Sequence, residues 1–325
     1  SFGSSGSATL MADAGSDYSH ESNDEFTEVT DVEAAAKNWP LAKCLQRITD
    51  LQQRRRKKTA RRFLASLALR LEEIPKCLSH SPAAVRFVVV SDTHRYQDKV
   101  SLPAGEVLLF AGDMVGNYGR SHKIKRHFQE FLAWLSAQSK RYAHVFFIAG
   151  NHETFLDEDR GDGSLGFDQL RRFLVDTPNC TYLQNQSSKY RGIRVWGSPV
   201  TVSRQEKDGR RYYSRAFERT SAQRSALWAD VPEGLDLLMT HCPPRGHLCH
   251  SDVGDPILAA RLADMLKPPR FHVFGHDHDF PGVKTTEQTV FINAAQDEYL
   301  RVDPNGGGCA LLFDIEARAT TDEET

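Results

Sequence analysis

The chain has 325 residues, of which 40% are hydrophobic and 26% are charged, and its formal net charge is −2. This composition is ordinary for a globular protein, and the small net charge indicates no particular partner. No apolar run approaches the roughly 20 residues that a membrane-spanning helix needs. The six cysteines include no Cys-x-x-Cys pair, which favours a reduced, cytoplasmic setting.

The first 80 residues differ in character from the rest of the chain. Residues 1–38 form an acidic tail that we expect to be disordered, because residues 1–36 contain eight acids and no Lys or Arg. Residues 39–80 repeat apolar side chains at helical spacing and contain a basic run from Arg54 to Arg62, which predicts a helical basic extension. That run is either a solvated helix face or a surface that binds an acidic protein, nucleic acid or anionic lipid.

Strand and helix patterns alternate from residue 84 to residue 316, which predicts one α/β domain before a polar tail at residues 317–325. The predicted strands are Val85–Val90, Val107–Ala111, Val145–Ala149, Thr181–Leu183, Ile193–Trp196, Leu235–Met239, Phe271–Phe274, Phe291–Ile292 and Ala310–Phe313. The predicted helices cover Phe128–Trp134, Phe167–Val175, Ala222–Trp228 and Ile257–Leu266. A long, polar, Arg-rich loop precedes the third of these helices.

Side chains of the kind that bind metals follow five of the predicted strands, at the point where each strand ends. They are Asp92, His94, Asp113, Asn151, His152, His241, His276 and His278. Ligand sites of α/β sheets lie beyond the carboxyl ends of the strands, so we expect these side chains to lie close together. Carboxylates and imidazoles suit divalent ions such as Zn, Fe, Mn or Co. The pattern contains no cysteine except Cys242 beside His241, which argues against a structural zinc site.

Two metal ions fit this set better than one. A pair about 3.5–4 Å apart can clamp the attacking and leaving oxygens of a phosphoryl displacement, and Asp113 is the candidate for a shared carboxylate. Asp92 and His94 would project to the same side if the segment between them is extended. His247 and His250 lie near the predicted site loop. The remaining histidines are expected to be surface or hydrogen-bonded residues: His20, His80, His122, His127, His144 and His272.

The order of five motifs resembles that of the calcineurin-like metallophosphoesterases. The motifs are Ser91-Asp92-Thr93-His94, Gly112-Asp113, Gly150 to Glu153, Thr240-His241 and Gly275 to His278, and the resemblance covers residues 86–314. Further segments resemble the metallophosphoesterase-domain-containing proteins and the related class III cyclic-nucleotide phosphodiesterases. They are Arg86-Phe87-Val88, Cys180-x-Tyr182-Leu183-Gln184, Trp196-Gly197-Ser198-Pro199, Leu238 to Pro244 and His272 to His276.

This resemblance implies two mixed β-sheets packed face to face and flanked by helices. It also implies two divalent metal ions, chosen from Mn, Fe, Zn, Co and Mg, which activate a bridging water for attack on a phosphodiester or a phosphomonoester. One ion would be held by Asp92, His94, Asp113 and His278, and the other by Asp113, Asn151, His241 and His276. His152 would protonate the leaving alkoxide. A phosphoprotein phosphatase is one alternative, and a metal-binding scaffold that uses the basic extension to bind a partner is another.

Two departures from the family pattern concern residues near the site. Many relatives carry an acid shortly after Gly-Asp that orients the catalytic histidine, whereas this chain continues as Met114-Val115-Gly116-Asn117. Cys242 stands where the subfamily usually has Gly, and we expect it to crowd or tune the second metal.

Substrate contacts are predicted in two places, Asn117 and the loop from Ser203 to Phe217. The loop contains Arg204, Arg210, Arg211 and Arg215, of which Arg211 is the candidate for substrate binding. Tyr212 or Tyr213 is the candidate for stacking on a base, with Tyr212 preferred. The alternative for the whole loop is a solvated surface.

Overall fold

The computed structural model describes residues 83–116, 121–160, 164–203, 215–297, 300, 308 and 310–316. The predicted acidic tail, the helical basic extension and the C-terminal tail lie outside these residues, and so do Asn117, Arg211 and Tyr212. Among the helices in the described ranges, none has the length and apolar character that crossing a membrane requires.

The first sheet contains β1 (Ala84–Val90), β2 (Val107–Ala111), β3 (His144–Ile148), β4 (Cys180–Tyr182) and β13 (Leu311–Glu316). Their order across the sheet is β13-β1-β2-β3-β4, with β13 antiparallel to β1 and the other neighbours parallel. Helix α1 (Ser121–Ser139) connects β2 to β3, and helix α2 (Ser164–Asp176) connects β3 to β4. Short 3-10 helices cover Gln97–Lys99, Thr154–Leu156 and Glu158–Arg160.

The second sheet contains β5 (Gln186–Tyr190), β6 (Ile193–Ser198), β9 (Leu237–Thr240), β10 (Phe271–Phe274), β11 (Gly282–Thr285) and β12 (Val290–Asn293). Their order is β11-β12-β10-β9-β6-β5, with parallel inner strands and an antiparallel strand at each edge. Strands β7 (Thr201–Val202) and β8 (Glu218–Arg219) pair separately. Helices α3 (Ser221–Ala229) and α4 (Pro256–Asp264) follow β8 and precede β10.

Successive residues of β1 face opposite sides of the first sheet. Val85, Phe87 and Val89 pack into a buried apolar layer with side chains of the second sheet, whereas Val88 and Val90 pack with α1 and α2. The other face of the second sheet packs on α3 and α4. Burial of each large apolar side chain contributes about 1.5–3 kcal/mol, so these layers dominate the stability. The domain is therefore a sandwich of helices, sheet, sheet and helices, which confirms the predicted fold class.

The strands and helices predicted between residues 84 and 316 are present, most of them with shifted ends. The prediction missed β5, β7, β8 and β11. Strands β5 and β11 form the two edges of the second sheet. The residues of β5 are exposed or only partly buried, and backbone pairing with β6 keeps this polar strand in the sheet. Its sequence has no apolar run from which a strand could be predicted. The start of α3 has a local signal, because Thr220 and Gln223 form a capping box.

A buried ion pair joins α3 to α4 behind the second sheet. Arg224 Nε lies 3.0 Å from Asp255 Oδ2, and the two side chains are 3% and 0% exposed. Trp228 Nε1 donates to the same carboxylate oxygen at 2.7 Å, and Asp255 also accepts from the N–H of Ile257 at the start of α4. Asp255 therefore has two roles, since it caps one helix and binds the charged side chain of the other.

We predict that Arg224→Ala lowers the free energy of unfolding by about 3–5 kcal/mol, because it leaves the buried Asp255 carboxylate without its cation. Urea unfolding followed by circular dichroism measures this change. Arg171→Ala is the matched control, because Arg171 on α2 is 75% exposed and its loss is expected to cost less than about 0.5 kcal/mol. Equal stability of the two variants would contradict the prediction.

Candidate metal centre

The carboxyl ends of five parallel strands meet where the two sheets pack together. Strands β1, β2 and β3 come from the first sheet, and β9 and β10 come from the second. Direct hydrogen bonds join the two sets of loops: the N–H of His276 donates to Asp92 Oδ2 at 3.0 Å, and His241 Nδ1 donates to the carbonyl oxygen of Ala111 at 2.8 Å. The strand-end residues that the sequence singles out are brought together here.

Two groups of ligand atoms share one carboxylate. Asp92, His94, Asp113 and His278 form the first group, and Asp113, His241 and His276 form the second, with ligand atoms within 4.8 Å of one another in each group. In the first group, His278 Nε2 lies 3.0 Å from Asp92 Oδ1 and 3.4 Å from His94 Nε2.

Asn151 extends the second group. Its Oδ1 lies 3.1 Å from His241 Nε2, which is itself 3.3 Å from Asp113 Oδ2. Asn151 and the second group therefore form the ligand set that the resemblance implies for the second metal ion.

The donor set fits a pair of divalent cations. The carbonyl oxygen of Ala111 can only accept, so His241 Nδ1 carries a proton and, in the neutral ring, Nε2 presents a lone pair. That lone pair faces the oxygens of Asp113 and Asn151, and three such atoms converge only around positive charge. His94 is held in the same way, with Nδ1 3.2 Å from the carbonyl oxygen of Val115. Mixed N and O ligands suit borderline divalent metals.

The pKa shifts of these groups also indicate that the buried carboxylates need positive charge beside them. Burial would raise the pKa of Asp113, but the charges of His152 and His241 hold it well below its usual range. Burial opposes protonation of His241, yet Asp113 and Asp92 raise its pKa to about 9. Burial also opposes protonation of His278, but Asp297 and Asp92 raise its pKa to about 10. Protons or metal ions must therefore balance the buried carboxylates.

Several of the ligand residues have left-handed backbone conformations. The φ angles are 54° at Asp92, 44° at His94, 56° at Asp113 and 68° at His276. The segment from Asp92 to His94 is therefore not extended, and the expected same-side projection along a strand does not apply. Instead, backbone hydrogen bonds from Asp92 to Gly112 and from His94 to Asp113 turn both side chains into the site. Such conformations cost about 1–3 kcal/mol each and persist only where surrounding contacts impose them.

Glycine precedes the ligand residues where the loops approach each other most closely. A Cβ added at Gly150 would collide with Asp113 Oδ1, and one at Gly275 would collide with Asp92 Oδ2 and Ser91 Oγ. The glycines in Gly-Asn-His-Glu and Gly-His-x-His are thus required because atoms of the neighbouring loop, mostly of its side chains, occupy the space that a Cβ would need.

Glu153 holds two of the ligand loops, a role that the sequence does not reveal. Its fully buried carboxylate accepts N–H groups from Asp113 at 3.1 Å, Val115 at 3.1 Å and Gly150 at 2.6 Å. Burial and the charge of Asp113 raise its pKa to about 8, while the N–H donors oppose this rise. Glu153 therefore fixes the loop after β2 against the loop after β3.

Asp297 is a second residue that sequence reasoning missed. Its Oδ2 lies 3.1 Å from His278 Nδ1, and its Oδ1 lies 3.9 Å from His94 Nε2. The carboxylate is buried and orients the His278 ring with Nε2 facing Asp92. A carboxylate behind a metal-binding histidine fixes the ring and increases its basicity. Asp297 lies after β12, outside every motif, and its position depends on the parallel pairing of β12 with β10.

His152 lies at the edge of both groups. Its Nε2 is 3.7 Å from Asp113 Oδ2, and its ring packs on that of His94 with centroids 4.4 Å apart. Among the described residues, Nδ1 has no hydrogen-bond partner. Burial lowers the pKa of His152 to about 4; Asp113 opposes this shift, and His94 and Arg215 add to it. Ring packing and the hydrogen bond from its backbone N–H to Asp113 hold His152, and no acid in the described part of the chain bonds to its Nδ1.

The Cys242 thiol is buried against backbone carbonyl oxygens, and the expectation that it crowds or tunes the second metal stays a prediction. Its Sγ lies 3.6 Å from the carbonyl oxygens of Pro243 and Val253, and burial raises the pKa of the thiol. Just beyond the end of β9, His241 enters the site, whereas the thiol of Cys242 is buried among backbone carbonyl oxygens.

Five other histidines contact neighbouring side chains. His247 stacks on Phe291, His250 bonds to Asp277, His144 bonds to Thr181, His272 bonds to Thr240, and His127 lies 3.3 Å from Arg95. For His127, His144 and His272 this confirms the prediction of hydrogen-bonded residues. His20 and His80 lie outside the described ranges, and the side chain of His122 is not among those described.

We predict that Glu153→Ala lowers the free energy of unfolding by about 3–9 kcal/mol, because three buried N–H groups lose their acceptor at about 1–3 kcal/mol each. Metal content should fall with it, since the loops of Asp113 and Asn151 are released. Thermal unfolding and elemental analysis of the purified protein measure both effects. Glu130→Ala is the control, since Glu130 on α1 is 54% exposed. Wild-type metal content in the Glu153 variant would refute the loop-fixing role.

Comparison with known proteins agrees with this geometry. A family model described as Calcineurin-like phosphoesterase matches residues 85–280. Metallophosphoesterase domain-containing protein 1 of Homo sapiens is 30% identical over 250 residues, which cover 69% of this chain and 70% of that protein. A UPF0046 protein of Caenorhabditis elegans is 34% identical over 226 residues, which cover 65% of this chain and 70% of that protein.

Solved structures also align with this chain. A dimetal phosphatase from Danio rerio aligns with a TM-score of 0.43 and 14% identity, over 64% of this chain and 86% of that chain. The family match extends over more than half of the sequence, from β1 to the loop that carries His278. This protein therefore belongs to the calcineurin-like phosphoesterase family.

Proposed function

We propose that this protein is a two-metal-dependent hydrolase of phosphate esters that prefers phosphodiesters, cyclic nucleotides among them. The observation that carries the proposal is Asp113, whose carboxylate belongs to both ligand groups and lies 3.7 Å from His152 Nε2. A shared carboxylate between two sets of N and O ligands, with an imidazole beside it, suits in-line displacement at phosphorus.

The roles of the ligand residues follow from their grouping. Asp92, His94 and His278 would hold one cation, Asn151, His241 and His276 the other, and Asp113 both. When bound, the two cations supply Lewis acidity that lowers the pKa of water and offsets charge on the phosphoryl oxygens. Asn151 donates a neutral oxygen, so it adds no negative charge that would repel phosphate. The Asp92 and Asp113 carboxylates are buried, which strengthens their interaction with any cation placed between them.

His152 is proposed to protonate the leaving alkoxide. The low pKa of His152, about 4, leaves its ring neutral at neutral pH in the free protein. A phosphate ester binds with negative charge, and negative charge beside an imidazole raises its pKa. Protonation of His152 is therefore expected to accompany substrate binding, and the proton then passes to the leaving oxygen.

The preference for diesters rests on two supports. The first is the sequence resemblance to the class III cyclic-nucleotide phosphodiesterases. The second is the partial exposure of the site on one side: the His278 side chain is 28% exposed, while Asp92 is fully buried. An open side leaves room for a second ester substituent on phosphorus.

We predict hydrolysis of bis-p-nitrophenyl phosphate by the full-length protein loaded with Mn²⁺, Fe²⁺, Zn²⁺, Co²⁺ or Mg²⁺. The value of kcat/KM should exceed that for p-nitrophenyl phosphate with the same metal. A reversed ranking would assign the site to monoesters. The absence of turnover with every metal, at full loading verified by elemental analysis, would refute the proposal.

Two variants separate the roles of Asp113 and His152. We predict that Asp113→Ala loses metal at one or both positions, whereas His152→Ala keeps both metals. The His152 variant should lose about 10²–10⁴-fold in kcat on an alkyl ester and less on a nitrophenyl ester, whose leaving group needs no proton. Asp168→Ala, at a 61% exposed position on α2, is the control for metal content. An unchanged rate of His152→Ala on the alkyl ester would remove His152 from the acid role.

A further inference from the structure

The segment that carries Arg215 is fixed beside the candidate metal centre. The N–H of Ala216 donates to the carbonyl oxygen of Asn151 at 2.9 Å, and the N–H of Phe217 donates to Asp157 Oδ2 at 2.6 Å. The carbonyl oxygen of Phe217 accepts from the N–H of Thr201 at 2.9 Å. These backbone contacts place Arg215 next to the peptide that joins Asn151 to His152, and none of them depends on its side chain.

The guanidinium of Arg215 has no anionic partner among the described residues, although its side chain is partly buried. The neighbouring arginine on the same segment behaves differently. Arg219 Nη2 lies 2.8 Å from Asp157 Oδ1 and 2.9 Å from Asp159 Oδ2, so its charge is balanced. A partly buried guanidinium that has no counterion among the described residues is suited to receive an anion from solution.

The backbone contact of the next residue gives the position of Arg215 relative to the site. Because the N–H of Ala216 donates to the carbonyl oxygen of Asn151, Arg215 lies on the His152 side of the site, where the phosphoryl group and its leaving oxygen would be. Other described cations near these loops have other contacts: Arg95 lies 3.3 Å from His127 and packs over Tyr96.

We propose that Arg215 is a substrate-binding residue whose guanidinium holds a non-bridging phosphoryl oxygen on the His152 side of the centre. This inference rests on the proposed function, because it assumes that a phosphoryl group enters between the ligand groups and His152. The planar guanidinium can donate two parallel N–H bonds to such a group. Arg215 thus adds a positive charge that belongs to the chain rather than to a metal, and it selects substrates that carry a negatively charged phosphoryl group.

Binding of inorganic phosphate tests the proposal without relying on turnover. The metal-loaded full-length protein is titrated with phosphate by calorimetry, as wild type and as Arg215→Ala, Arg215→Gln and Arg215→Lys. We expect Arg215→Ala and Arg215→Gln to weaken phosphate binding by about 10- to 100-fold, the loss of one charge-assisted hydrogen-bonded contact. Arg215→Lys should lose less phosphate affinity, because the lysine keeps the positive charge but lacks the two parallel N–H donors of the guanidinium. Arg171→Ala should bind as wild type does.

A kinetic readout separates binding from a structural role. On the diester substrate, we expect Arg215→Ala to raise KM by the factor seen for phosphate, and millimolar guanidinium to recover part of the loss in this variant only. Wild-type phosphate affinity in both Arg215→Ala and Arg215→Gln would overturn the proposal. Equal weakening in Arg171→Ala, or no phosphate binding by the wild type, would also overturn it.

The two proposals fail in different ways. If no ester is hydrolysed but Arg215→Ala weakens phosphate binding, the proposed function is wrong and Arg215 still binds the anion. If esters are hydrolysed and phosphate affinity is unchanged in the variants, only the role of Arg215 is wrong.

Discussion

The centre depends on one buried carboxylate, that of Glu153, which binds three backbone N–H groups from two loops. Those loops carry Asp113 and Asn151, and neither belongs to a regular element at that point. Without this acceptor, three N–H groups would be buried and unpaired, a cost of about 1–3 kcal/mol each. Glu153 thus sets the distance between the Asp113 carboxylate and the Asn151 amide before a metal ion or substrate binds.

Preorganisation of the site has a cost in backbone strain. Asp92, His94, Asp113 and His276 all have positive φ, which non-glycine residues adopt rarely. The loops can hold these conformations because the sheets beneath them are rigid: their central strands are buried on both faces. The packing energy of the sandwich therefore supports strain at its edge, which is a common arrangement at functional sites.

Much of the fold and most of the ligand set could be predicted from local sequence patterns. Apolar runs reveal central strands because both faces are buried, and the residue that follows such a run lies at the sheet edge whatever the neighbouring strands are. Asp92, Asp113 and His241 are found in this way. Edge strands such as β5 are missed because their backbone N–H and C=O groups bond to one neighbouring strand and to solvent. Their side chains therefore need not be apolar.

The supporting residues of the site could not be predicted because their roles depend on contacts between distant parts of the chain. Asp297 reaches His278 only because β12 lies beside β10, and no spacing in the sequence encodes that pairing. Glu153 is adjacent to His152, but its contact with Asp113 spans 40 residues. The orientation of Cys242 depends on which face of its segment enters the core.

The shared ligand groups also constrain how the protein folds. Asp92 and His278 are 186 residues apart in sequence, and Arg86 on β1 binds Asp314 on β13 across 228 residues. During translation, the loops of Asp92 and Asp113 are synthesised well before His241, His276 and His278. Both carboxylates therefore lack these three imidazoles at first. High contact order of this kind slows folding and prolongs the exposure of apolar strands. The ligand set can therefore be completed only after the loop that carries His278 has been synthesised, and the first sheet only after β13 has been.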